Sequence, residues 1–220
     1  MDNSSLNNNR RPLKTRSARW AQRLAAYLVR IKATPDHISA LSIVFAVGGA
    51  ALLAVPGLAA SPAALIAAAA CVQLRLVCNL LDGMVAIEGG RKSPIGGLWN
   101  ELPDRVADSL FIVALGYAAG QPALGWFGAL AAAVTAYIRQ LGGTLGLAQD
   151  FRGPMAKQHR MAVLTAVCVI GAFERWFFAT DWVLLAGAWI IALGSLLTCV
   201  TRTRAIAAQL RARAATAPAA

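Results

Sequence analysis

Six long apolar segments constrain this chain more than any other feature: residues 38 to 55, 63 to 81, 102 to 119, 123 to 141, 161 to 178 and 182 to 200. Each comes close to the roughly 20 residues a helix needs to cross the hydrocarbon core of a bilayer. Composition agrees, since 58% of the residues are hydrophobic and only 14% are charged, which speaks against an ordinary soluble domain. The expected fold is therefore all-α, a polytopic membrane protein with six transmembrane helices, and the expected partner is a lipid bilayer. A formal charge of +11 would suit nucleic acid only if the basic residues covered one face of a soluble fold. Here they lie between the apolar runs, so no nucleic-acid partner is expected.

The connections between the segments alternate in character. Those after the first, third and fifth segments are short and nearly uncharged, apart from Glu174, Arg175 and Asp181 near the last of them. Loops 83 to 101 and 142 to 160, the N-terminal region and the tail after Thr201 hold nearly all the Lys and Arg. The positive-inside rule then puts both termini and both longer loops on the cytoplasmic side of a cytoplasmic (inner) membrane. Residues 1 to 16 have almost nothing to bury and are expected to be a disordered basic tail. No signal peptide is expected, because the first apolar segment begins about forty residues in.

Residues 17 to 33 read as an amphipathic interfacial helix: Trp20, Leu24, Tyr27, Leu28 and Ile31 recur at helical spacing, with Arg19, Arg23 and Arg30 mostly elsewhere on the surface. It lies either on anionic headgroups or on the protein's own cytoplasmic face. Pro35 ends that helix, and Asp36 or Ser39 can cap the next one. The transmembrane domain is placed at residues 34 to 201, with a basic cytoplasmic tail over 202 to 220. Cys71, Cys78, Cys168 and Cys199 sit inside apolar segments without a close CxxC pair, so neither disulfides nor a zinc site is expected.

Against this background the stretch Asn79 to Asp108 stands out. Asp82, Glu88, Glu101, Asp104 and Asp108 are five of the chain's ten acids, and most lie beside or within apolar segments, where an unpaired carboxylate is costly. Asn79 and Asp82 are three residues apart at one helix end, and Asp104 and Asp108 are four apart at the start of the next, so each pair shares a helix face. Such oxygen ligands without His or Cys suit Mg²⁺, Mn²⁺ or Ca²⁺. The alternative is neutralisation by Arg75, Arg91, Arg105 or Arg139. Arg75, one turn before Asn79, can pair with Asp82 or Asp108 or meet a lipid phosphate. Gly83 and Ala86 leave the same face bare, either for a flat ligand or for a helix-packing seam. Farther along, Arg139, Lys157 and Arg160 gather at the same mouth and suit an anionic acceptor, or simply satisfy topology. His37 and His159 read as loop and headgroup residues.

The run N79-L-L-D82-G83-M-V-A86-I87 followed by D104-R-V-A-D108, with TPDHIS (residues 34 to 39) leading into the first span, resembles the signature of the CDP-alcohol phosphotransferases over roughly residues 30 to 200. The resemblance implies phospholipid biosynthesis by metal-dependent transfer of a phosphatidyl group from CDP-diacylglycerol to a small hydroxyl acceptor, releasing CMP. The basic residues suggest a polyol phosphate such as glycerol 3-phosphate. Two ions, Mg²⁺ or Mn²⁺, would be held by Asn79, Asp82, Asp104 and Asp108, with Asp108 also placed as general base. Gly83, Ala86 and Arg91 would meet the cytidine nucleotide, and Arg139, Lys157 and Arg160 the acceptor phosphate. The same resemblance implies a homodimer.

Three departures stand out. Asn79 replaces the signature's first aspartate, so Glu101 is expected to supply the missing charge at the metal site, with Glu88 a weaker substitute. Ile87 replaces an arginine whose phosphate contact falls to Arg91 or Lys92. The stretch before Asp104 is longer than the signature, which makes Gly96 or Gly97 its glycine. Two other readings stand beside this one: transfer of a CDP-linked headgroup to a diacylglycerol, and a non-catalytic relative that binds lipid or nucleotide.

Overall fold

Each apolar segment becomes part of a helix. The computed structural model describes residues 18–58, 61–89 and 95–216, and seven α-helices run through them. They are α1 (Arg19–Arg30), α2 (Pro35–Ala54), α3 (Pro62–Glu88), α4 (Gly96–Ala118), α5 (Pro122–Thr144), α6 (Lys157–Phe178) and α7 (Trp182–Thr216). Residues 1 to 16, Arg91, Lys92 and the last four residues of the tail lie outside the described part.

Four of the helices, α2, α3, α6 and α7, are long and apolar enough to cross a membrane. The α4 helix carries Glu101, Asp104, Arg105 and Asp108 near its start, and α5 carries Arg139 and Gln140 near its end. Several helices also outrun their apolar segments. The α3 helix continues to Glu88, and α7 continues to Thr216, so most of the basic segment after residue 201 is helical. Polar residues that interrupt hydropathy do not interrupt the backbone when neighbouring helices supply their partners.

Local chemistry sets the helix starts. Pro35, Pro62 and Pro122 stand in the first helical turn, where a missing N–H costs nothing. The Thr34 hydroxyl accepts from the His37 N–H at 3.3 Å and caps α2. The cap is thus neither Asp36 nor Ser39, and Ser39 is left for a different task. Pro103 lies inside α4, where it cannot donate to the Trp99 carbonyl.

The core joins α2 to α3 and α4, α4 to α5, α5 to α7, and α3 to α6. Leu53, Leu65, Phe111, Ile112, Leu115, Leu164 and Ile191 are its bulkiest apolar members. Small residues let the helices approach closely: a Cβ on Gly116 would stand 2.5 Å from the Gly125 Cα of the neighbouring helix. Helix α1 packs on the protein along one face. Ala21 and Ala25 are fully buried in a cluster with Ile38, Cys78, Leu81 and Val85, while Trp20, Tyr27 and Ile31 remain about half exposed. Its small-residue face packs on the protein, and its large apolar and arginine-bearing faces point away. The four cysteines are free thiols.

The close α4–α5 contact leaves no room for a methyl group, because the opposing atoms are backbone. Gly116→Ala is expected to lower stability by about 1–3 kcal/mol, whereas Gly48→Ala, with nothing within 4 Å of its new Cβ, changes it by less than about 0.5 kcal/mol. Thermal unfolding of the two variants in lipid nanodiscs checks the difference.

Candidate active site at one end of the helix bundle

The start of α2, the end of α3 and the start of α4 bring their polar residues to one place. Arg75, on α3 and fully buried, reaches across to α4 with a single nitrogen, Nη2, which donates to Asp104 Oδ1 at 3.0 Å and to Asp108 Oδ1 at 2.8 Å. The same nitrogen approaches the Asp104 carbonyl at 3.3 Å. One turn along α3, the Asn79 amide donates to Asp104 Oδ1 at 2.5 Å. The start of α6 closes the cluster from the other side. Lys157 donates to Asp104 Oδ2, and Arg160 donates to Asp108 Oδ2 at 3.1 Å, to the Met155 carbonyl at 2.7 Å and to the Thr135 hydroxyl at 3.3 Å.

Asp82 stands apart from this ion-pair chain. Its Oδ2 accepts from the Ser39 hydroxyl at 2.8 Å, which is the task left to Ser39 once Thr34 caps α2. Its Oδ1 is buried and has no hydrogen-bond partner, although the Gly83 N–H lies beside the carboxylate. A buried carboxylate oxygen without a donor is costly, and the cost is relieved by a cation or by a ligand that brings one. Beside it the helix surface is open: a Cβ on Gly83 would meet nothing within 4 Å, so no neighbouring helix uses that glycine as a packing seam. Ala86 is half-buried one turn on, and Ile87 is turned outward and half exposed.

Glu101 belongs to a second, outer group. Both of its carboxylate oxygens accept from Arg139 Nη2 at 2.8 Å, and Arg105 approaches Oε2 at 3.3 Å. Arg139 also donates to Gln149 at 2.6 Å and lies 5.4 Å from the Phe151 ring centroid. Two guanidinium groups stand against the one carboxylate. The structure thus gives Glu101 an arginine as its first partner.

All three cations expected at the acceptor site, Arg139, Lys157 and Arg160, are paired with acids in this structure. The neutralising arrangement weighed from the sequence is therefore present around Asp104 and Asp108. Among the described residues no three His, Cys, Asp or Glu side chains form a ready metal cluster. The residues nonetheless fit a hard divalent cation in chemical type, with the vacant Asp82 Oδ1 as the point of entry. Sequence reasoning missed Ser39 as the partner of Asp82, and it assigned Arg202 to the tail. Arg202 is buried and donates to the Arg152 and Thr135 carbonyls at 2.9 and 2.7 Å, so it pins the loop before α6 to α5. Ser39 closes a short polar segment where a serine reads as a helix cap, and Arg202 follows the last apolar run without any break.

No protein-family model matches the chain. Individual relatives do. The archaetidylinositol phosphate synthase of Aeropyrum pernix is 31% identical over 158 residues, which is 71% of this chain and 77% of the relative. This chain belongs to the CDP-alcohol phosphotransferase family. The phosphatidylinositol phosphate synthase of Streptomyces avermitilis is 27% identical over 186 residues, covering 81% of this chain and 74% of the relative. Among solved structures, the Mycobacterium tuberculosis phosphatidylinositol phosphate synthase with CDP-DAG bound superposes with a TM-score of 0.71 at 24% identity, covering 86% of this chain and 94% of its own. The same enzyme in complex with manganese and citrate also gives 0.71 at 24% identity, covering 84% and 88%. At that identity the likeness shows a shared fold. The family assignment makes the chain a CDP-alcohol phosphatidyltransferase by descent, and the buried acids on α3 and α4 fall in the signature that carried the resemblance.

Removing Arg75 would strand two buried carboxylates. Arg75→Met is expected to cost about 3–5 kcal/mol, and the double variant Arg75→Met/Asp108→Leu to recover part of that loss because one stranded charge is removed with its partner. Thermal unfolding of both variants measures the recovery, and a double variant no more stable than the single one would contradict the bridging role.

Proposed function

We propose that this protein transfers a phosphatidyl group from CDP-diacylglycerol to an inositol phosphate, releasing CMP and leaving a phosphatidylinositol phosphate lipid. The observation that carries the reading is the joint presence, at one end of the bundle, of the signature acids Asp82, Asp104 and Asp108 and of the basic residues Lys157 and Arg160 directly over two of them. The acceptor follows from the names of the two relatives, both inositol phosphate lipid synthases, and it replaces the glycerol 3-phosphate expected from charge alone. Cationic side chains recognise a phosphate on either polyol, so charge could not choose between them.

In this reading the acceptor hydroxyl attacks the phosphorus that carries diacylglycerol. The new P–O bond forms as the anhydride bond to CMP breaks, and the hydroxyl proton passes to Asp108. A divalent cation, Mg²⁺ or Mn²⁺, would be held through Asp82 and Asp104 and would neutralise charge on the diphosphate and on departing CMP. The open surface at Gly83 and Ala86 receives the cytidine nucleotide, with Arg91 as a further contact. Arg160 and Arg139 receive the acceptor phosphate. When Arg160 turns from Asp108 to that phosphate, Asp108 loses one of its two neutralising partners and becomes a stronger base. Acceptor binding thereby prepares the residue that activates it. Glu101 holds Arg139 in place at the rim.

The same proposal takes α2 to α7 as six membrane spans after the interfacial helix α1, with the transmembrane domain at residues 34 to 201 between basic segments. The basic loops put the active site and both termini on the cytoplasmic side of the inner membrane. It also takes the working form as a homodimer.

Asp108→Asn is expected to lower CMP release at least about 100-fold while leaving CDP-diacylglycerol binding intact. Purified protein supplied with CDP-diacylglycerol, Mn²⁺ and a panel of acceptors tests the whole reading: inositol phosphate gives CMP and lipid product, and free inositol, glycerol 3-phosphate and diacylglycerol give much less. Turnover with diacylglycerol and a CDP-linked headgroup instead, or no turnover with any acceptor, would overturn it.

A further inference from the structure

We infer that this chain binds one divalent cation at its active site rather than the two that its family signature implies, with the Lys157 ammonium standing in the second cation's place. The inference rests on the proposed function and concerns the same site. Its starting point is the hydrogen-bond inventory of the three buried acids. Asp104 Oδ1 accepts from Asn79 Nδ2 and from Arg75 Nη2, and Asp104 Oδ2 is taken by Lys157. Asp108 Oδ1 and Oδ2 are taken by Arg75 and Arg160. An sp² carboxylate oxygen offers about two acceptor positions, so Asp104 Oδ1 has none left for a metal. Among the carboxylate oxygens of these three acids, Asp82 Oδ1 alone has no hydrogen-bond partner, with the Gly83 N–H the donor beside it, on a residue only 6% exposed.

Position 79 decides the arrangement. A carboxylate there would face Asp104 with like charge, and only a cation between them could hold the two together. The amide does the opposite: it offers Asp104 an N–H and bonds to it directly. Its orientation is fixed, because Asp104 only accepts and a reversed amide would set two acceptors against each other. The substitution therefore removes a ligand and also occupies the oxygen that the ligand would have shared.

Charge points the same way. Asp104 and Asp108 are paired with Arg75, Lys157 and Arg160, and with Asp82 beside them, outside the ion pairs, three carboxylates stand against three cations. The diphosphate of a CDP-linked lipid brings two negative charges, which one divalent ion neutralises. A second ion would leave a surplus of positive charge in a buried site, where the penalty for unpaired charge is greatest. Lys157 has three N–H donors, so it can keep Asp104 and still reach a phosphate oxygen. It supplies the charge of a cation without the coordination demand of Mg²⁺ or Mn²⁺.

Counting bound manganese tests this. Purified protein in nanodiscs with CDP-diacylglycerol is titrated with Mn²⁺ and followed by electron paramagnetic resonance. The expected result is one tightly bound Mn²⁺ per chain with a mononuclear six-line spectrum. In Asn79→Asp the count rises to two, with the broadening of a spin-coupled pair. Two coupled ions in the unaltered chain would overturn the inference, and so would an Asn79→Asp variant that folds, retains CDP-diacylglycerol binding and stays at one. Should that variant not fold, the count on the unaltered chain decides alone. CMP release measured on the same preparation separates the failures: turnover with two ions sinks only this inference, whereas no bound ion and no turnover sinks the proposed function with it.

Discussion

Arg75 bridging Asp104 and Asp108 is the interaction on which the site depends. Two carboxylates one turn apart on an apolar helix repel each other and resist burial, and a single guanidinium nitrogen from the neighbouring helix satisfies both. The bridge fixes α3 against α4 at the depth where Asn79 and Asp82 stand beside Asp104. Lys157 and Arg160 then complete the charge balance from α6. The helix ends that hold acids and the helix start that holds cations are thus tied together by ion pairs.

That closed arrangement shapes the chemistry. Under the proposed function an anionic diphosphate would enter together with a cation, and Asp82 Oδ1, which has no hydrogen-bond partner, would be a ligand for it. The cations over Asp104 and Asp108 would have a second use under the proposed function, in which a phosphorylated acceptor competes with the carboxylates for the same groups and no charge is left unpaired in the bundle interior.

Much of this was legible in the sequence. Hydropathy marked all six long helices, and the spacing of Asn79 with Asp82 and of Asp104 with Asp108 placed both pairs on helix faces that the structure brings together. Arg75 was recognisable as an arginine inside an apolar run, open to Asp82, Asp108 or a lipid phosphate, and it takes Asp108 together with Asp104. What escaped was which partner each charge takes. Glu101, one turn from Asp104, looked available as a substitute ligand, yet Arg139 from α5 holds both its oxygens; that contact joins residues 38 positions apart and leaves no periodic trace. Ser39 was read as a cap, but Thr34 performs that task and Ser39 meets Asp82 across 43 positions. Helices also run past the apolar segments that marked them, as after Leu81 and after Val200, because hydropathy reports the solvent around a helix and not the continuity of its backbone.

The central claim is the direction of transfer: the phosphorus attached to diacylglycerol moves to the acceptor, and CMP leaves without it. The direct measurement uses CDP-diacylglycerol labelled with ³²P at that phosphorus, incubated with purified protein, Mn²⁺ and inositol phosphate. The account predicts that the label appears in a phosphatidylinositol phosphate lipid in step with unlabelled CMP. Label that remains in CDP-diacylglycerol, or that leaves as a water-soluble nucleotide, would contradict it.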